Sequence, residues 1–161
     1  MFQAISIAVI AVLTVIDQLT KYAAVTTVKE NGPTEFLFGL MQFRYVENTG
    51  AAFSMFSENT MMLAVFSGLL IIAAIVVILM RKIKSNFVNV CLVLVVAGGL
   101  GNVIDRIKLG YVVDFIEPLF IDFAVFNFAD CCITVGAFML IGYQIYDIIR
   151  ENKKKKASEN D

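Results

Sequence analysis

Long apolar runs alternate with short polar stretches along this chain. The first run, Phe2 to Val28, carries Asp17, Thr20 and Lys21 toward its far end. Three more follow at Asn59–Met80, Phe87–Ile104 and Asp130–Ile149. At ~1.5 Å per residue these runs reach from about 27 to about 40 Å, comparable with a hydrocarbon core ~30 Å thick. The pattern therefore predicts four transmembrane helices, over about 2–28, 59–80, 87–104 and 130–149, in a single domain covering 1–161. Residues 29–57 and 105–130 are left as polar interludes, and 150–161 as a basic tail expected to be disordered. No cation lies close to Met1 and no A-x-A-like site follows the first run, so a retained helix is expected there, not a cleaved leader.

The first interlude opens on a turn signal, Glu30-Asn31-Gly32-Pro33. Phe36 to Val46 then mixes aromatic and β-branched residues, which suits short strands near the membrane surface. The expected fold is an integral membrane, mainly α protein: a four-helix transmembrane bundle with a small β-like extracytoplasmic cradle.

Composition strengthens the membrane reading. Of 161 residues, 59% are hydrophobic and 17% charged, with a mean hydropathy of +0.80, whereas soluble domains are about half apolar and a quarter charged. A net charge of -1 offers no basic surface for nucleic acid. The cations are biased toward one side, although Lys21, Lys29, Arg44, Arg106 and Lys108 lie near the other. Arg81, Lys82 and Lys84 mark one face, and Lys153 to Lys156 return to it after two more crossings. The positive-inside rule makes that face cytoplasmic, with both termini inside and both interludes outside.

Depth then becomes informative. Asp17 lies roughly 21 Å along the first helix from Gln3, and Asn102 about 22 Å along the third from Phe87. Asp105 falls at the outer end of that helix and Asp130 opens the fourth from outside. Separate helices thus bring polar groups to one level near the outer surface. Asp17 and Lys21, four residues apart, share a helix face and can pair, which suits an ion pair anchoring the helix end near the headgroups. Gly98, Gly99 and Gly101 permit close helix packing.

The residue types narrow the chemistry. His is absent, which removes Ser-His and Cys-His nucleophiles and His-ligated zinc. Cys91, Cys131 and Cys132 have no metal-ligand spacing and read as small packing residues. No cofactor and no metal are expected. What remains is a crowd of carboxylates between apolar runs, where such groups are costly and mark function. Two close carboxylates tend to share one proton, so that one acts as base on water and the other as acid toward a carbonyl. Asp105 precedes Arg106, and a neighbouring cation suits a fixed, structural carboxylate. Asp114 and Asp130 sit in apolar settings, with Asp122 a rival that spacing alone does not remove. An ion- or proton-coupled transporter is the alternative from another class, although the inner helix halves are uninterrupted Ile, Val, Leu and Ala.

Five stretches in this order resemble the lipoprotein signal peptidases, the bacterial type II signal peptidase family: Asp17-Gln18-Leu19-Thr20-Lys21, Asn48-Thr49-Gly50-Ala51-Ala52-Phe53, Gly101-Asn102-Val103-Ile104-Asp105-Arg106, Gly110 to Phe115, and Phe126-Asn127-Phe128-Ala129-Asp130. The resemblance implies catalytic aspartates at Asp114 and Asp130. It implies supporting or substrate-binding residues at Asn48, Asn102, Asp105, Arg106 and Asn127, with Asp17, Lys21 and Gly50 in the same role. It implies a membrane aspartic endopeptidase that cuts diacylglyceryl prolipoproteins just before the lipidated Cys, in the bacterial cell membrane, with the active site near the outer face. The implied partners are those substrates and membrane lipids, and a monomer is expected. Cys131-Cys132 departs from the small or hydroxylic residues expected after the last aspartate.

Overall fold

The structure is a computed structural model that describes residues 2–50, 59–83 and 85–158. The Ala51-Ala52-Phe53 part of the second motif and Lys84 of the basic turn lie outside the described residues. Among the described residues, four helices are long and apolar enough to span a membrane, and the chain is a multi-pass membrane protein.

Helix α1 (Phe2–Ala23) continues through a π-helical turn, Ala24–Val28, into a last helical turn α2 (Lys29–Asn31). Thr27 Oγ1 donates to the Ala23 carbonyl at 2.6 Å, and Thr26 Oγ1 to the Tyr22 carbonyl at 3.0 Å. Hydroxyls that compete for carbonyls in this way loosen the regular ladder. Gly32 stops the helix at a positive φ (84°) with extended ψ, a conformation only glycine adopts readily, and Pro33 lies behind it.

Strands β1 (Thr34–Phe36) and β2 (Met41–Asn48) form an antiparallel hairpin, in line with the strands expected from the first interlude. Leu37, Phe38 and Gly39 in the turn all have positive φ. For the two non-glycine residues this costs about 1–2 kcal/mol each. Strand β3 (Val112–Pro118) pairs antiparallel with β2, giving the order β1-β2-β3. A register irregularity between Phe43 and Val46 sets Val46 opposite Asp114 and Asn48 opposite Val112. Residues paired directly share a face, as do residues two apart. Asn48 and Asp114 are therefore diagonal neighbours on one face, while Val113 and Phe115 turn to the other and pack with Ala24 and Phe43.

Helices α3 (Thr60–Leu79), α4 (Asn86–Leu109) and α5 (Phe128–Ser158) complete the bundle. Helix α4 is its centre: half of its most apolar stretch is buried, a far larger share than in the other three spans. It lies against α1, α3 and α5. Ile10, Ile71, Ile78, Val93, Val96 and Ala97 form the apolar core. Large apolar side chains such as Leu19, Leu70 and Phe138 point outward, as a lipid solvent permits.

Two boundaries differ from the sequence expectation. The third helix does not stop at Ile104 but runs to Leu109, so Asp105 and Arg106 are helical. Charge does not end a helix. The stop is Gly110, left-handed at φ 82°, whose N–H donates to the Arg106 carbonyl at 3.2 Å. The basic tail, expected disordered, is helical through Ser158. Lysine is a good helix former and here extends an existing helix without a new nucleus.

Glycines set the spacing around α4. A Cβ on Gly98 would come within 2.3 Å of the Ala129 carbonyl oxygen, and one on Gly101 within 2.3 Å of Asp17 Oδ2. Gly98→Ala should lower the melting temperature in detergent, with an overpacking cost of ~1–3 kcal/mol. Gly142→Ala, where no atom lies within 4 Å of the added carbon, should not. Scanning fluorimetry of both variants checks this.

Candidate active site

The site begins at the start of α5. Asn127 caps the helix: its Oδ1 accepts from the Asp130 N–H at 2.9 Å, and Asp130 Oδ2 accepts from the Asn127 N–H at 3.1 Å. This reciprocal pairing, three residues apart, is a capping box with Asp as its acidic member. It fixes the Asp130 carboxylate at a helix N-terminus, where negative charge is favoured.

The same asparagine reaches β3. Asn127 Nδ2 donates to Asp114 Oδ1 at 2.6 Å, so one fully buried side chain bridges the strand aspartate and the helix aspartate. Asp114 Oδ2 accepts from Asn48 Nδ2 at 2.8 Å. Asn48 is itself held by the Gly50 N–H, which donates to its Oδ1 at 2.9 Å. Asp114 is only 2% exposed. Its burial, aided by the nearby Asp130 charge, pushes its pKa up to about 7 against the opposing pull of the two asparagine amides.

Beneath the aspartates lies a buried ionic network. Lys21 Nζ donates to Asp17 Oδ2 at 2.9 Å, Asp105 Oδ2 at 3.0 Å and Asn102 Oδ1 at 2.9 Å, which satisfies an ammonium's three donors. Asn102 passes the contact upward, since its Nδ2 donates to Asp130 Oδ1 at 2.8 Å. Asp105 also accepts from the Val113 N–H at 3.1 Å, beside Asp114. Asp17 accepts from the Ala129 N–H at 2.9 Å, beside Asp130.

Two sequence expectations need correction here. The Asp17–Lys21 pair forms, but its side chains are 1% and 4% exposed, inside the bundle and not at the headgroups. Gly101 leaves the space that draws Asp17 against α4. The cation that holds Asp105 is Lys21, not its neighbour Arg106. Successive helical residues face different ways, and Arg106 instead donates to the Gly50 carbonyl at 3.0 Å and the Asn102 carbonyl at 3.4 Å.

A cavity of about 660 Å³ opens over Asp114 and Asp130, with Asn48, Asn102, Arg106 and Phe123 in its walls. Cys131 also lines it, whereas the sequence suggested packing alone; Cys91 and Cys132 are buried. The rival Asp122 is exposed and does not line this cavity. Gln18 was not singled out from sequence, yet its Nε2 donates to Asp105 Oδ1 at 2.9 Å. A polar side chain one position after Asp17 in an apolar helix was the available signal. Among the described residues, no group of three or more His, Cys, Asp or Glu side chains is placed to hold a metal.

The family model described as Signal peptidase (SPase) II matches residues 9–146. A lipoprotein signal peptidase of Streptococcus thermophilus (strain CNRZ 1066) is 38% identical over 138 residues, 86% of this chain and 90% of that protein. One from Streptococcus pyogenes serotype M5 (strain Manfredo) is 36% identical, covering 80% and 85%. Two solved structures, each described as a bacterial membrane enzyme studied by the in meso method, are also similar. The first has a TM-score of 0.83 at 31% identity, covering 90% of each chain, and the second 0.79 at 32%, covering 89% and 94%.

Lys21→Met would strand Asp17 and Asp105 in the bundle without their cation. Breaking a buried pair from one side costs about 3–5 kcal/mol. A large fall in melting temperature is expected, and Lys21→Met combined with Asp105→Asn should recover part of it. Thermal unfolding in detergent reads both.

Proposed function

The chain belongs to the signal peptidase (SPase) II family and is a multi-pass bacterial membrane protease; on that premise we propose that it is an aspartic endopeptidase acting on diacylglyceryl-modified prolipoproteins. It removes the signal peptide by cutting just before the lipidated Cys. One observation carries the aspartic mechanism: Asn127 bridges Asp114 and Asp130 under the same cavity.

Asp114, with its pKa pushed up to about 7, holds a proton near neutrality and donates it to the scissile carbonyl oxygen. Asp130, held at its helix N-terminus, takes a proton from the attacking water. As the tetrahedral adduct collapses and its C–N bond breaks, one hydroxyl proton returns to Asp114 and the proton taken up by Asp130 passes to the leaving amine of the lipidated Cys. Asn48, Asn102 and Asn127 position the two carboxyls, and Lys21, Asp17, Asp105 and Gln18 hold those asparagines and the chain ends around them. Arg106, in the cavity wall and bonded to the Gly50 carbonyl, presents positive charge to the bound peptide.

The positive-inside reading puts the sheet and the site outside, with both termini cytoplasmic. The signal peptide helix then lies in the bilayer with its lipidated end at the depth of Asp130. The transporter alternative needs a polar route to the opposite end. Among the described residues, Ser6 and Asn89 are the buried polar side chains at that end, and each bonds to a carbonyl of its own neighbourhood. Ile10, Ile71, Val93 and Val96 lie in the core between.

Asp114→Asn and Asp130→Asn should each slow cleavage of a diacylglyceryl prolipoprotein by at least ~10²-fold while the protein still folds and inserts. Asp122→Asn should cleave normally. Wild-type turnover should fall as pH rises through about 7, where Asp114 loses its proton. Near-normal turnover by either Asn variant at the two catalytic positions would remove the pair.

The lipid requirement is testable separately. Burying acyl chains yields about 0.8 kcal/mol per CH₂, ample to fix the scissile bond at one depth, and part of that orients it for reaction. Unlipidated substrate should therefore be cut far more slowly even at saturation. Equal rates for the two forms would show that the lipid is not read.

A further inference from the structure

Outside the membrane spans, the sheet carries an apolar rim that the reaction does not use. At the hairpin turn, Phe38 is fully exposed and Leu37 and Leu40 are each more than half exposed. After β3, Leu119, Phe120 and Ile121 are exposed as well. The two groups are one surface, because the Leu119 N–H donates to the Leu40 carbonyl at 2.8 Å. From Phe36 to Met41 and from Pro118 to Ile121 there is no charged residue. Solvent-facing apolar patches of this kind mark a contact surface.

The backbone adds a second observation. Leu37 and Phe38 are both held at positive φ, the conformation that disfavours residues with side chains. Phe38 is fully exposed and Leu37 largely so, and packing within the chain does little to offset the strain. Strain of this kind persists where function uses it.

Position decides the partner. The segment after β3 folds back along the bundle. Its Phe123, Val125 and Phe126 line the same cavity as Ile133, Thr134 and Val135 of α5. Those α5 residues lie about one turn into the span beyond Asp130, so the returning segment reaches the level of the membrane-spanning helices. The rim continues outward from that segment. Glu35, Glu117 and Asp122 border the apolar rim without interrupting it, and the charged pairs Arg44–Glu117 and Lys29–Glu47 lie on the sheet beyond it.

We propose that Leu37, Phe38, Leu40, Leu119, Phe120 and Ile121 form a membrane-anchoring edge that dips into the lipid interface and holds the sheet against the bilayer beside the cavity mouth. The inference needs only that the helices span a membrane and does not rest on the aspartate pair. An edge anchored at two places fixes the tilt of the sheet, and with it the height of Asn48 and Asp114 over the bilayer.

The chain has no Trp, so Phe38→Trp gives a single fluorescent reporter, and Phe120→Trp a second should the first disturb the turn. Each variant is reconstituted as the full chain in phosphatidylcholine–phosphatidylglycerol vesicles with lipids brominated either near the headgroup or near the chain end. The expected result is blue-shifted emission, protection from aqueous acrylamide, and roughly twofold or greater quenching by headgroup-proximal bromine, as for an interfacial apolar contact. Emission quenched by acrylamide and untouched by brominated lipid would mean that the rim faces water, and would overturn the proposal. Protection from both quenchers would mean that protein, such as a second copy of the chain, covers the rim, and would overturn it equally. A variant with Leu37→Asp and Phe38→Asp should keep its detergent melting temperature but lose the acrylamide protection of a reporter at position 120.

Discussion

The buried ammonium of Lys21 is the group around which this structure closes. It sits on α1 and is held by Asp17 of its own helix and by Asp105 and Asn102 of α4. Asp17 in turn ties the N-terminus of α5 through the Ala129 N–H. Three membrane-spanning helices are thus fixed at one depth by groups that lipid cannot solvate. An unpaired ion there costs several kcal/mol, so a sliding or rotated helix is strongly disfavoured. Gln18 adds a donor that the two carboxylates need, since one ammonium leaves several of their lone pairs unfilled.

On this base stand three asparagines, and their neutrality matters. An amide can donate to one carboxylate while its oxygen accepts from elsewhere, so it orients acids without adding a full charge. Asn102 accepts from Lys21 and donates to Asp130. Asn127 accepts from the Asp130 N–H and donates to Asp114. Asn48, braced by Gly50, donates to Asp114 from the sheet. A cation in any of these places would favour the ionised carboxyl, whereas burial with amide partners leaves Asp114 a pKa of about 7. The asparagines thus give geometry, and burial gives the protonation state.

Packing and chemistry use the same small residues. Gly101 lets Asp17 lie against α4, and Gly98 admits the Ala129 carbonyl. The irregular pairing of β2 with β3 aligns Asn48 diagonally with Asp114, while the alternation of the strand buries Val113 and Phe115 on the opposite side. A sheet of three short strands therefore both delivers an aspartate to the bundle and closes one end of it.

The amino-acid pattern by itself determined four membrane crossings, strand-forming sequence in the first interlude, and the gathering of carboxylates between apolar runs. Those follow from transfer free energy and helical rise, which depend on residue type and spacing alone. It also narrowed the acids to Asp114, Asp130 and Asp122, and the five short motifs pointed to the family. Which acids share a cavity was decided only in three dimensions: Asp122 is exposed, and Asn127 joins the other two. Sequence adjacency suggested Arg106 as the partner of Asp105 and placed the Asp17–Lys21 pair at the headgroups. The fold chose otherwise, because a helix turns successive side chains to different faces and a glycine on α4 opened space for a buried ion pair. Partners of buried charges come from whichever helix faces them, and that is a property of packing that no local stretch of sequence contains.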